Sequence, residues 1–329
     1  MKRILALVLT LLMSLSLVAC GNAKDDTSDG AETDNYPEKP ITVIVPFSAG
    51  GEHDLTARTI ATRLHDMFGW TVVIQNTSGD SAATIEYMKD SGNADGYTLF
   101  MHSPEVMASG FVSGQLNEDY YKQFTYLGCF VYDPLCISVA ADSPFNTIEE
   151  LFAYAKEHPG EIQVGNSGTG SIWHIAAASI EKECGVEFTH VPFDGAAPAV
   201  AALLGNNIQA VTVSPSEVKN NVDAGDFKVL CILGEGRSSV VPEVETAQEM
   251  GYDITIQGWG GFAVPKDTPQ AIVDILEEAS EVAINSDSVK QTLADRGYEH
   301  AYLNGADMDA KAAEELAYYS ELIPELGIA

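Results

Sequence analysis

Short runs of apolar, β-branched residues alternate with stretches of helical apolar spacing over most of this chain. The run at 41–46 predicts a strand, and a turn rich in glycine and small residues follows it. From Asp54 to Phe68, the residues Ala57, Ile60, Ala61, Leu64 and Phe68 fall on one helical face. Strands are predicted at 71–76 and 97–102, on either side of a helix at 81–89. A second series places helices at 147–157, 172–184 and 196–204 and strands at 161–166, 186–192, 208–214 and 228–233. Thr268-Pro269 opens a long helix to Ala283, with proline in its first turn, and a last helix runs from about Asp307 to Leu322. Repeats of this kind build an α/β fold around parallel sheets covered on both faces.

The segments 119–141 and 254–265 read as extended passages between two lobes. If both cross, residues 36–130 plus 264–329 form lobe 1 and 131–263 form lobe 2, with a ligand cleft at the hinge. Length agrees, because the 329-residue chain exceeds what one hydrophobic core usually holds.

The N-terminus follows another pattern. Lys2 and Arg3 precede an apolar run, and Leu17-Val18-Ala19-Cys20 closes it. This reads as a signal peptide over 1–19, cleaved so that Cys20 becomes the first residue. The run is shorter than the ~20 residues that span a bilayer. The motif resembles the lipobox of bacterial lipoproteins, which implies lipidation of Cys20 and a membrane anchor outside the cytoplasm. Residues 20–35 are acidic and lack large apolar side chains, so they read as a disordered tether.

Charge narrows the partners. The chain has 17 bases and 48 acids, a net −31, and loses Lys2 and Arg3 on cleavage. Such a surface repels nucleic acid, and local dipoles must hold any anionic solute. Cys129, Cys136, Cys184 and Cys231 match no zinc spacing and read as core thiols, with a Cys129–Cys136 bridge left open. No metal or cofactor is expected, and the protein is expected to be a monomer.

Two strand–helix turns carry the candidate chemistry. The first is Pro46-Phe47-Ser48-Ala49-Gly50-Gly51-Glu52-His53-Asp54, and the second is Asn166-Ser167-Gly168-Thr169-Gly170-Ser171-Ile172-Trp173-His174. Glycines let a ligand approach the backbone, and a helix start offers free N–H groups and a positive dipole end. Two such turns would grip a carboxylate without lysine or arginine. Asp54 reads as the N-cap of its helix, as a ligand contact, or as both. Trp259 reads as hinge packing or as a pocket wall.

The order of motifs resembles the extracytoplasmic solute receptors of tripartite tricarboxylate transporters, often called Bug proteins. The resemblance rests on Tyr36-Pro37-Glu38-Lys39-Pro40-Ile41, Val45-Pro46-Phe47 with Gly50-Gly51, and Asp95-Gly96-Tyr97-Thr98-Leu99. It continues through His190-Val191-Pro192-Phe193 with Gly195 and Pro198, Val213-Ser214-Pro215-Ser216-Glu217, Trp259-Gly260-Gly261-Phe262 and Thr268-Pro269. It implies a two-lobe periplasmic-binding-protein fold, type II-like, and delivery of a small carboxylate to membrane permease subunits. Carried over, it nominates Ser48, Ala49, Gly50, Gly51 and Asp54 in one lobe and Ser167, Gly168, Thr169, Gly170 and His174 in the other. Asp194, Ser214 and Trp259 are also nominated, and Phe47, His53, Ser81 and Ser103 complete the candidate ligand-binding set. The family often has Pro-Pro-Gly-Gly, then any residue, then Thr or Ser before the Asp, where this chain has Ser48-Ala49-Gly50-Gly51-Glu52-His53-Asp54. A hydrolase using Ser167 or Ser171 with His174 competes weakly, lacking a Gly-x-Ser-x-Gly elbow and an orienting acid. A sensory receptor would share the binding chemistry and differ in its protein partner.

Overall fold

The computed structural model describes residues 35–47, 49–77, 87, 94–112, 114, 120–325 and 327. The expectations for the signal segment, Cys20, Ser48, Ser81 and the helix at 81–89 lie outside them. Residues from Pro37 onward form one compact unit built on two sheets.

The first sheet contains β1 (Ile41–Val45), β2 (Val72–Asn76), β3 (Thr98–His102), β4 (Phe124–Pro134), β10 (Gln257–Pro265) and β11 (Glu299–Leu303), in the order β11-β4-β10-β3-β1-β2. The second contains β5 (Cys136–Ala140), β6 (Gln163–Asn166), β7 (Thr189–Pro192), β8 (Ala210–Val213) and β9 (Phe227–Ile232), in the order β7-β6-β8-β5-β9. β1 pairs in parallel with β2 and β3, and β6 with β7 and β8. Both sheets are mixed, because β4 leaves the first lobe into β5 and the chain returns through β10, antiparallel to β4. The crossing strands β4 and β10 belong to the first sheet, so boundaries drawn at 131 and 263 fall inside them.

Helix α1 (Glu52–Phe68) covers the first sheet and buries Ala57, Ile60, Ala61 and Leu64. Burying each of the larger two contributes roughly 1.5–3 kcal/mol. Phe68, assigned to that face by periodicity, is 43% exposed at the helix end. The remaining helices are α2 (Pro104–Val112), α3 (Ile148–Glu157), α4 (Ile172–Cys184), α5 (Ala196–Leu204), α6 (Pro215–Ala224), α7 (Gln270–Ile284), α8 (Asp287–Ala294) and α9 (Gly305–Glu325). Among the described residues, no helix is long and apolar enough to cross a membrane.

Cys129, Cys136, Cys184 and Cys231 are free, buried thiols. Cys129 pairs within the first sheet and Cys136 within the second. Seven extended residues span about 23 Å, which keeps the two sulfurs apart.

The lobes touch. Lys311 of α9 pairs with Glu235 at 3.0 Å, Lys182 of α4 pairs with Glu325, and Ser216 Oγ reaches Asp133 at 3.4 Å.

Candidate functional site

Four helices begin where the lobes meet. Gly51 caps α1, whose first turn carries Glu52, His53 and Asp54. α2 follows Ser103, α4 follows Ser171 and α6 follows Ser214. Side chains from these starts converge. His53 Nε2 lies 3.5 Å from Glu105 Oε2, and Glu52 faces Asp133 at the end of β4. Trp173 Nε1 faces the Glu217 carboxylate, and the Ser214 N–H donates to Glu217 Oε2 at 2.9 Å. Glu52, Glu105 and Asp133 come from the first lobe, and Trp173, Ser214 and Glu217 come from the second. The sequence points to two helix starts here, and the structure supplies four.

Asp54 is not the N-cap of α1. The helix begins two residues earlier, so Asp54 lies in its first turn and reaches backwards. Its carboxylate is 2% exposed and accepts from Gly50 N–H at 2.9 Å, Arg58 Nε at 3.0 Å and Asn76 Nδ2 at 2.9 Å. Burial opposes its ionisation, but Arg58, the Gly50 amide and Asn76 outweigh burial and hold the carboxyl below its usual range. Asp54 therefore braces the first loop, with Asn76 also donating to Phe47 O at 3.0 Å.

The second loop is braced in the same manner. Asn166 Oδ1 accepts from Gly168 N–H and His174 Nδ1 accepts from Gly170 N–H, both at 3.0 Å. A ring nitrogen that accepts carries no proton, and burial with His190 beside it pushes the His174 pKa down to about 4. His174 meets His190 edge to face at 4.7 Å, and both line a side cavity of about 600 Å³ with Glu181 and Glu325. Its role is to hold a loop.

These braces correct which amides are open to a solute. Those of Gly50, Gly168 and Gly170 already have acceptors. The amides of Gly51, Glu52 and His53 on α1, and of Ile172 and Trp173 on α4, have none among the described residues. Ala49, Gly51, Thr169 and Asp194 are exposed, Phe47 packs at 4.4 Å on the His53 ring, and the Ser167 hydroxyl has no partner. Ser103 and Ser214 are fully buried at two of the helix starts.

Trp259 is a core residue, not a pocket wall. It is 0% exposed, stacks on His102 at 5.7 Å, and donates its indole N–H to Glu315 at 2.7 Å. Its neighbours face the cluster instead. A Cβ on Gly258 would sit 3.5 Å from Glu105 Oε1, and one on Gly260 would sit 3.1 Å from His53 Nδ1. Bare backbone there leaves room for both side chains.

Glu105, Asp133, Glu217, Arg58 and Asn76 escaped the sequence reading as site residues. Only Glu217 carried a local signal, since Ser214-Pro215-Ser216-Glu217 spells a capping box. Burial first, and then Glu217, push Asp133 up to about 8. Burial, then Asp133 and Glu105, raise Glu52 well above its usual range. Glu105 runs the other way, because His53 and Ser103 overcome the effect of burial and lower it. No group of acids, histidines or cysteines among the described residues has metal-holding geometry.

Gly170 lies against α2. Its φ is +78°, and a Cβ there would lie 2.8 Å from Val112 Cγ1 across the cleft. Gly170→Leu should keep the lobes apart and weaken solute binding about tenfold, ~1.4 kcal/mol. Small-angle scattering checks this: undiminished contraction on adding solute would remove Gly170 from the closing contact.

Relatives share this fold. Residues 56–328 match the family described as "Tripartite tricarboxylate transporter family receptor". A Cupriavidus necator protein, "UPF0065 protein in gbd 5'region", is 30% identical over 299 residues, covering 91% of each chain. A TctC solute binding protein from Polaromonas is 36% identical with TM-score 0.78, over 88% of this chain and 100% of that one. An R. palustris protein solved with adipate is 28% identical with TM-score 0.77, over 90% and 99%. Family model, relatives and two-lobe fold agree: this chain belongs to the tripartite tricarboxylate transporter receptor family, a family of solute-binding receptors and not of enzymes.

Proposed function

We propose that this protein is an exported lipoprotein that closes its lobes on a small carboxylate and delivers it to the permease of a tripartite tricarboxylate-type transporter. One observation carries the reading: helix starts from both lobes converge with first-turn amides that lack acceptors. Such amides, with the positive ends of their helices, form an anion site without a basic side chain. The adipate-bound relative supports the solute class. The amides of Gly51, Glu52, His53, Ile172 and Trp173 are the proposed grip, with Phe47, Ala49, Ser167 and Thr169 around it. Gly50, Gly168, Gly170, Asp54 and His174 hold the two loops in place. The signal segment and Cys20 supply the proposed anchor.

A thermal-shift panel of mono-, di- and tricarboxylates, with sugars and free amines as controls, tests this reading. A solute at ~100 times its Kd should add about 2.7 kcal/mol to stability. Stabilisation by a sugar and by none of the acids would defeat it.

A further inference from the structure

We infer that the cleft takes a solute that carries a protonated amine besides its carboxylate, the amine being held among Glu52, Glu105, Asp133 and Glu217. The inference rests on the receptor reading above and narrows its substrate class to amino-acid-like zwitterions.

Four carboxyl groups from four separate elements meet across the lobe boundary. They come from the starts of α1, α2 and α6 and from the end of β4. Among the described residues, their only ion pair is the one between Glu105 and His53. Tyr298 stands beside Glu52, Asp133 and Glu217, with Arg296 next to it, and Arg58 is taken up by Asp54 and Asn76. A solute with no positive group would therefore leave these acids without a counter-charge.

Unmet hydrogen-bonding atoms are the second, independent sign. Glu52 Oε1 and Glu105 Oε2 are shielded from solvent and accept no hydrogen bond, although Glu105 Oε2 lies 3.5 Å from His53 Nε2. Ser103 is fully buried, and its hydroxyl faces the Glu105 carboxylate without closing a hydrogen bond. The His53 side chain is 6% exposed, with its Nδ1 likewise unpartnered. Buried acceptors lacking donors are costly, and an ammonium brings three donors and a compensating charge. The described acids lack metal-holding geometry.

The two halves of a zwitterion would then find different partners. Its carboxylate meets the free helix-start amides, and its ammonium meets the acids on the same starts. Glu217 is exposed and bonds through its carboxylate to buried Ser214, which places it at the rim, while Asp133 lies deepest at 4% exposed.

Isothermal titration of the full chain with matched pairs tests the inference: succinate against aspartate, glutarate against glutamate, and adipate against 2-aminoadipate. At least one amino member should bind on the order of 100-fold more tightly than its amine-free partner. In Glu52→Gln and Asp133→Asn that ratio should shrink about tenfold, because neither amide can offer the ammonium a counter-charge. Glu105→Gln provides a third, independent substitution should either variant fold poorly. Amine-free acids that bind the parent chain as tightly as their amino partners would overturn the inference and leave the receptor reading intact. Binding of 1,4-diaminobutane but of no acid would uphold the cation site and remove the carboxylate reading. Binding of no probe would overturn both.

Discussion

Asp133→Asn should raise the unfolding temperature of the ligand-free protein above pH 8, and the gain should vanish below about pH 4. Asp133 is 4% exposed, and burial together with the Glu217 charge moves its pKa up to about 8. An exposed aspartate titrates near ~3.9. The folded chain thus holds a proton that the unfolded chain has released. Stability from this group is complete below the unfolded pKa and declines as pH climbs toward the folded one, at up to ~1.4 kcal/mol per pH unit. Asparagine never ionises, so the variant escapes that decline. A gain of about 2 kcal/mol at pH 9 is expected, some 4–8 °C in Tm. Glu52→Gln should act in the same direction, because burial, then Asp133 and Glu105, raise Glu52 well above its usual range. Glu315 titrates in the same window, pushed up to about 7 by burial against the pull of Lys311, so parent and variant are compared at each pH. Urea denaturation from pH 4 to 9 provides the measurement. Parallel profiles for parent and variant would show that the cluster stores no such strain. A site that destabilises the empty protein is what a pocket shaped for a missing cation should do.

Much of this was legible because it is local. Alternating strand and helix periods gave the β1–α1 and β6–α4 units, and glycine-rich turns marked both loops. The crossing segments were legible as extended chain, yet β4 and β10 proved to be paired strands of the first sheet, since pairing depends on residues more than a hundred positions apart. The short helices α2 and α6 and the edge strand β11 escaped for want of length to show a period. The candidate site divided in the same way. Loops that sit next to their helices were found, but the assignment of ligand amides to Gly50, Gly168 and Gly170 missed that Asp54, Asn166 and His174 already bind them. Glu105 and Asp133 look like ordinary surface acids in one dimension, and only the pairing of distant strands in the first sheet makes them neighbours of Glu52. The Trp259-Gly260-Gly261 block was noticed for its aromatic ring, while the flanking glycines carry the spatial consequence.

Asp54→Ala should cost about 3 kcal/mol of stability, some 6–12 °C in Tm, and weaken solute binding 10- to 100-fold. Three donors lose their acceptor at once: the Gly50 amide, the Arg58 guanidinium and the Asn76 amide. The loop they fasten leads straight into the free amides of Gly51, Glu52 and His53, so a loosened loop must be ordered again each time solute binds. The pH dependence has the opposite sign to that of Asp133. The Asp54 carboxyl is held below its usual range despite burial, so its contribution is present above ~pH 4 and is lost as pH falls through the folded pKa. Parent and Asp54→Ala should therefore converge in acid and diverge at neutral pH. Asp54→Asn keeps the shape and loses the charge, and should fall between them. Asn76→Ala separates bracing from direct contact, because Asn76 stands at the end of β2 and fastens both Asp54 and the Phe47 carbonyl. If Asp54 acts through the loop, Asn76→Ala should reproduce part of the affinity loss in the same titration. Should Asn76→Ala bind solute as the parent does while Asp54→Asn binds none, Asp54 touches the solute itself and the bracing account fails.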